Sequence, residues 1–307
     1  MTVRLPFLLI LAIACSPESF IPDEALEDNT VEGMGQKKIL SLENTFDIPG
    51  LGMHQSMAFH EGMAVFVTPV GDVLTGDIYN LETKAKEASL YLPHDGYPVP
   101  HANVSCFGRS FCSEDSLFPA LYVSAWNGGR QVFVYDIFKT KGEFGTRLIQ
   151  VIDPGHLDSG FAGLGQMDWV VDTDHDRLFS IAYGLDNSPY IYDGNCTNIC
   201  QFKLPAPGSG NVVYLEDTDI VDHFVLPVMN VFQDKCYSDG HIYVVAGIPD
   251  RDNLYPPRLY DIDIQGQSLE EKKLSIIGEP EGFCSYQGIR WLNMNSSTKI
   301  YNIADLI

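Results

Sequence analysis

The chain is poor in positive charge. Of its 307 residues, 19 are Lys or Arg against 41 Asp or Glu, a formal net charge of −22. Such a surface repels phosphate backbones and anionic lipid, which argues against nucleic-acid binding. It names no partner by itself, because acidic surfaces also serve solubility. Motifs that announce common chemistries are missing. There is no G-x-S-x-G, H-E-x-x-H, P-loop or dinucleotide fingerprint. No C-x2-C occurs, and Cys196 and Cys200 have no His nearby, so zinc-ligand spacing is absent. No stretch carries the period of a long amphipathic helix, which disfavours an α/β fold.

What the chain does have is strands. From His101 to Lys139 it runs through a polar excursion to ALYVSAW, an Asn127-Gly128-Gly129 turn and QVFVYDIF. Asn-Gly between apolar alternating runs is a strong hairpin signal. The pattern recurs. Five units open on an amide, followed by three variable positions and then an aromatic residue or Val: QSMAF at Gln55, NVSCF at Asn103, QMDWV at Gln166, QDKCY at Gln233 and QGIRW at Gln287. Positions 55, 103, 166, 233 and 287 are separated by 48, 63, 67 and 54 residues. Second strands follow each opening (MAVFVTP, ALYVSAW, LFSIAYG, HIYVVAG, KIYNIAD). Third strands are read at DIYNLET, VFVYDIF, YIYDGN and RLYDIDI, with weaker fourth strands at ASLYLP, RLIQVID and KLSIIG.

Self-similarity at this period, with four strands per unit, marks an all-β propeller of four-stranded antiparallel blades. Five copies predict five blades, with six as the alternative. The last unit stops at Ile307 after two obvious strands, so the segment ILSLENTFDI, Ile39 to Ile48, is expected to close the ring. The expected organisation is a signal peptide over 1–14, an acidic Pro- and Gly-containing tether over 15–38 and one propeller domain over 39–307.

The run PFLLILAIA, Pro6 to Ala14, is too short to span a bilayer and fits a signal-peptide core. It ends directly before Cys15, and AIAC resembles the lipobox of bacterial lipoproteins, whose cysteine is lipidated after cleavage. The resemblance implies a lipid anchor on Cys15 in the cell envelope, at the outer membrane or cell surface. The alternative is secretion after ordinary cleavage. The other six cysteines are an even number in an oxidising setting, which predicts disulfides. Cys106 with Cys112, Cys196 with Cys200 and Cys236 with Cys284 are plausible pairs, with the connectivity open.

In a propeller the first strand of each blade lines the axis, so residues opening the units converge. His54, Gln55, His101, Asn103, Gln166, Gln233 and Gln287 are therefore candidate ligand-binding residues, with Tyr286 beside them. Asp168, Asp234 and Glu281 are the candidate catalytic carboxylates, since paired carboxylates serve glycoside hydrolysis. The competing reading of the amides is structural: they hydrogen-bond backbone between blades, as repetition in every unit favours. His54 and His101 break the repeat. DTDHDR, Asp172 to Arg177, looks like the start of a calcium loop but lacks the sixth-position Gly and the distal Glu, so an Asp-rich turn is preferred and no cofactor is expected, with calcium as the alternative. Tyr122, Trp169, Tyr183 and Trp291 are expected in the core, and Trp126 beside the turn is a candidate sugar platform.

The phrases HAN-x-x-x-FG, His101 to Gly108, and FP-x-LYVS, Phe118 to Ser124, together with QSMAF and YQGIRW, resemble a group of extracellular bacterial propeller proteins. The resemblance implies the fold and an extracellular setting, and no reaction. The expected function is a binding or interaction module of the envelope or the secreted space, for a glycan or an envelope protein, rather than an enzyme. The alternatives are a glycoside hydrolase or lyase using the channel carboxylates, and a scaffold without a small ligand.

Overall fold

The computed structural model describes residues 42–125, 129–157, 164–184, 196–229, 231–248, 255–295 and 297–307, with side chains over 167–183 in the third of these segments. The signal segment, the tether, Cys15, Trp126, the Asn127-Gly128 step and the expected strand YIYDGN lie outside the described residues.

A two-residue strand, β1 (Phe46–Asp47), comes first. Blade 1 is β2 (Ser56–His60), β3 (Met63–Val70), β4 (Val73–Asn80) and β5 (Lys86–Tyr91). Blade 2 is β6 (Ser105–Phe107), β7 (Leu121–Ser124), β8 (Val132–Thr140) and β9 (Glu143–Asp153). Blade 3 is β10 (Leu164–Asp172), β11 (Arg177–Gly184), β12 (Cys196–Lys203) and, after β13 (Val212–Tyr214), β14 (Ile220–Pro227). Blade 4 is β15 (Phe232–Ser238), β16 (His241–Ile248), β17 (Tyr255–Asp263) and β18 (Ser268–Lys273). Blade 5 is β19 (Pro280–Tyr286), β20 (Ile289–Met294) and β21 (Lys299–Asn302), and β1 pairs antiparallel with β21 through Phe46↔Ile300 and Asp47↔Lys299. The protein is therefore an all-β, five-bladed propeller.

Four-stranded blades hold with one exception. β13 leaves blade 3 and adds to blade 2 parallel to β9, giving a five-stranded sheet. Two outer strands also differ from the sequence reading. β14 was not expected at all, and β18 is SLEEKK rather than the apolar KLSIIG that follows it. Outer strands face solvent and are blunted with charge, so they lose the alternation that makes a strand readable.

Short turns explain the hairpins. Glu61-Gly62, Lys141-Gly142, Asp239-Gly240 and Gln287-Gly288 each carry positive φ at both residues, the geometry of a two-residue type I′ hairpin turn. The last of these overturns the fifth repeat opening. Gln287 sits in the β19–β20 turn, and IRW is the second strand of its blade. The inner strand is β19, and its residue equivalent to Gln55 is Glu281, 48 residues after Gln233, the same interval as 55 to 103.

The core is five apolar seams, one between each pair of blades. Val65 meets Phe133 and Tyr135, Val134 meets Trp169 and Phe202, and Phe179 meets Val244 and Tyr260. Leu259 meets Phe283 and Leu292, and Trp291 meets Phe66 and Phe46. Tyr122, Trp169, Tyr183 and Trp291 are buried, as expected.

The expected disulfides are absent: Cys106, Cys112, Cys196, Cys200, Cys236 and Cys284 are all free thiols. Cys196 and Cys200 lie on one strand, β12, four residues apart. At about 3.3 Å per residue their Cα atoms are roughly 13 Å apart, beyond the ~7 Å a disulfide tolerates. Tyr122 belongs to the apolar cluster against which Cys106 and Cys112 pack. Reducing agent is therefore expected to leave the melting temperature of the protein unchanged. A drop on reduction, in a scan with and without dithiothreitol, would show that bridges contribute to the fold.

Candidate functional site

Three of the inner strands are irregular where they approach the axis. Register shifts fall between Leu164 and Met167 in β10, between Phe232 and Lys235 in β15 and between Pro280 and Gly282 in β19. A bulge re-aims side chains, and the one in β15 carries two consecutive charged residues, Asp234 and Lys235, both without solvent exposure.

Asp234 binds backbone. Its Oδ2 accepts from the N–H of Phe283 at 2.7 Å and of Met57 at 3.4 Å, and its Oδ1 from the N–H of Lys235 at 2.6 Å. Lys235 Nζ donates to Asp168 Oδ2 at 2.5 Å and to the Gln233 carbonyl at 2.6 Å, and sits 4.7 Å over the Phe232 ring. Asn103 Nδ2 donates to the same Asp168 oxygen at 3.0 Å and to the Gln233 carbonyl at 3.2 Å. These contacts tie blades 1 to 5 together at the axis. Burial pushes the carboxyl of Asp234 well above its ordinary value, opposed by the amides that donate to it. Burial likewise raises Asp168 and lowers Lys235, and the contact between them opposes both shifts.

The other expected site residues gather near the leading ends of the inner strands. Gln233 Nε2 donates to Glu279 Oε1 at 2.7 Å. Glu281 is hydrogen-bonded to Gln55, and burial, then the neighbouring Glu279, raises its pKa to about 9. His54 is buried, with Nδ1 3.2 Å from the Gly52 carbonyl, and burial lowers its pKa to about 4. His101 is half-buried, and its pKa is lowered by burial against the pull of Asp168. Gln287 is apart from all of them, exposed in its turn with Nε2 3.2 Å from the Tyr286 hydroxyl. Tyr286 accepts from the Gly62 N–H at 2.9 Å. The side chain of Gln166 lies outside the described residues. In the DTDHDR run, Asp172 Oδ1 accepts from the N–H of Asp174 at 2.8 Å and of His175 at 3.1 Å, a turn closed by its own backbone.

One cavity of the described residues lies at the opposite end of the inner strands. About 390 Å³ is enclosed by residues of all five, among them Ala58, Phe59, His60, Ser105, Phe107, Val171, Tyr237 and Ser285. Cys106, Cys236, Cys284, Arg109, Phe111 and Thr173 are also among its lining residues. Phe107 stacks on Phe118 with centroids 5.2 Å apart, and the His60 ring packs 5.7 Å from Phe107 and 6.1 Å from Phe111. Burial pushes Cys106 up to about 12 and Cys236 and Cys284 well above the ordinary thiol value. They remain protonated, which removes them as nucleophiles at neutral pH. The sequence reading missed this cavity because it looked to the openings of the repeats rather than three to five residues further on. It also passed over Lys235, whose only signal was a lysine inside an otherwise buried strand.

Replacing Lys235 with Met leaves Asp168 buried without its cation, and a loss of about 3–5 kcal/mol is expected in urea unfolding. The double change Asp168→Asn with Lys235→Met should recover much of it, and purely additive losses would refute the coupling. Glu281 gives a pH test. Its folded pKa, about 9, is raised above the ordinary 4.5. The unfolded chain alone ionises between these values, so stability falls as pH rises through that window. Glu281→Gln should raise Tm at pH 8, by about 2–4 °C for each kcal/mol recovered, and leave it unchanged near pH 4.5. Equal shifts at both pH values would exclude a titration effect.

No protein-family model matches the chain, and no curated protein does. Among solved structures it is similar to Kuenenia stuttgartiensis hydrazine synthase, at 10% identity and TM-score 0.41, covering 78% of this chain and 61% of that one. A luciferin-regenerating enzyme matches at 14% identity and TM-score 0.42, over 81% of this chain and 72% of that one. The β-propeller domain of Cps50 (Swd1) from Myceliophteria thermophila matches at 12% identity and TM-score 0.38, over 83% and 98%. At these identities and TM-scores the likenesses assign neither a family nor an activity.

Proposed function

We propose that the protein is a binding module of the cell envelope that takes a glycan at the far axial cavity. The observation that carries this reading is the cavity's make-up. Aromatic rings, hydroxyls and one guanidinium surround it, and no Asp or Glu is among its described lining residues. Hydrolysis of a glycoside commonly needs two carboxylates flanking the bond, roughly 5–10 Å apart. Asp168 and Asp234 have no solvent exposure and are held in the axial cluster, so the hydrolase reading lacks its acid and base in the cavity. Stacking faces with a few polar groups suit recognition without turnover.

The rest of the reading concerns the N-terminus. Lipidation of Cys15 after removal of residues 1–14 would hold the propeller to the membrane through the 15–38 tether, and the strand from Ile39 to Ile48 would close the ring. The pairing of Phe46 and Asp47 with β21 supports that closure, and the AIAC sequence supports the anchor. The release of an unanchored, secreted form is the alternative.

Two experiments test this. On a glycan array, Phe111→Ala should lower binding at least fivefold without moving Tm, since Phe111 is 53% exposed. Unchanged binding would remove the cavity from the function, and capture of an envelope protein instead of a glycan would change the class of partner. Cys15→Ser should abolish palmitate labelling and move the protein to the soluble fraction, and persistence of the label would refute the anchor.

A further inference from the structure

We infer that the far axial cavity selects an acidic sugar, a pyranose bearing a carboxylate, and that Arg109 recognises the acid group. The inference rests on the proposal that this cavity is the glycan site and adds the charge class of its ligand. The first observation is a local reversal of charge. The chain carries 41 acidic residues, yet the described lining of the cavity holds none, and its one permanently charged side chain is Arg109.

The second observation is that this guanidinium is exposed and makes no ion pair or hydrogen bond with any described residue. By contrast, Arg147 is engaged with Asp136 and Arg258 with Glu271. A planar guanidinium left open beside a cavity matches a carboxylate in bidentate geometry.

The third observation sits deeper. Ser105 is 1% exposed, lines the cavity, and its Oγ has no partner. Buried hydroxyls are ordinarily satisfied, so Ser105 Oγ is an unmet hydrogen-bonding group on a residue of the cavity's lining. Thr173 and Ser285 add hydroxyls around it, while Phe107 and Phe111 offer apolar faces for the C–H side of a ring. The cavity, at about 390 Å³, falls in the range of small-molecule sites, roughly 300–1,000 Å³.

Glucuronate and glucose share a ring and differ in the carboxylate, so they are the probes. Each is titrated by calorimetry into the wild-type protein, Arg109→Gln and Phe111→Ala. Wild type should bind glucuronate at least tenfold tighter than glucose. Arg109→Gln should lose that preference and leave Tm unchanged, while Phe111→Ala should weaken both sugars by a similar factor. Equal affinity of wild type for the two sugars would overturn the acidic class while the glycan site stands. Retained preference in Arg109→Gln would overturn the role of Arg109. Failure of wild type to bind either sugar would overturn the inference altogether, and array binding that still depends on Phe111 would then preserve the broader proposal.

Discussion

The ring depends on the carboxylate of Asp234. Inner strands of a propeller have one edge that pairs with nothing, and their amides face the axis. Asp234 accepts two of those amides, from Met57 in blade 1 and Phe283 in blade 5. Lys235, its neighbour, crosses to Asp168 in blade 3, where Asn103 from blade 2 also arrives. The seams between blades are apolar and therefore non-directional. Hydrogen bonds of 2.5–3.4 Å to named atoms have direction, and they set how far each inner strand slides along the axis. Burying these charges costs several kcal/mol per ion, and the cost is offset only while every partner is present.

That constraint divides the two ends of the channel. Polar groups at and below the strand openings are engaged with one another: Asn103 with Asp168, Gln233 with Glu279, Gln55 with Glu281. At the far end the polar groups are sparse, and buried atoms without a partner occur at both levels: His54 Nε2, Asp168 Oδ1 and Glu281 Oε2 at the openings, Ser105 Oγ at the cavity. The same strands therefore hold the ring together at one level and leave a cavity at the next. A carboxylate cannot serve in both places, and in this chain the axial ones serve the ring.

Much of the architecture was legible because blade openings repeat. Gln55, Asn103 and Gln233 lie where the repeat puts them, each at the start of an inner strand or just before it. Asn103 reaches a backbone carbonyl, that of Gln233, as well as Asp168, whereas Gln233 pairs with the carboxylate of Glu279 and not with backbone. The last unit slipped because Gln287 happens to begin an amide-x-x-x-aromatic string, whereas the true equivalent, Glu281, is a carboxylate and broke the pattern by one functional group. Glu281 was still singled out, on charge alone. Lys235 was not, because nothing in QDKCY says that the lysine faces an aspartate 67 residues earlier. Long-range pairs of this kind exist only once the blades are placed around the axis.

The cysteines make the same point more sharply. Counting six invites three bridges, but three of the six occupy one repeat position. Cys106, Cys236 and Cys284 each stand three residues after the opening residue of their unit, Asn103, Gln233 and Glu281. In blade 1 that position is Ala58, which lines the same cavity. In four of the five blades this position carries a small side chain, and a protonated thiol serves there as alanine does, while blade 3 has Trp169 three residues after Gln166. Repetition around an axis thus places cysteines by location rather than in pairs, and their even number follows from nothing chemical. Cys106, Cys236 and Cys284 all line the far cavity and give it soft, polarisable contacts.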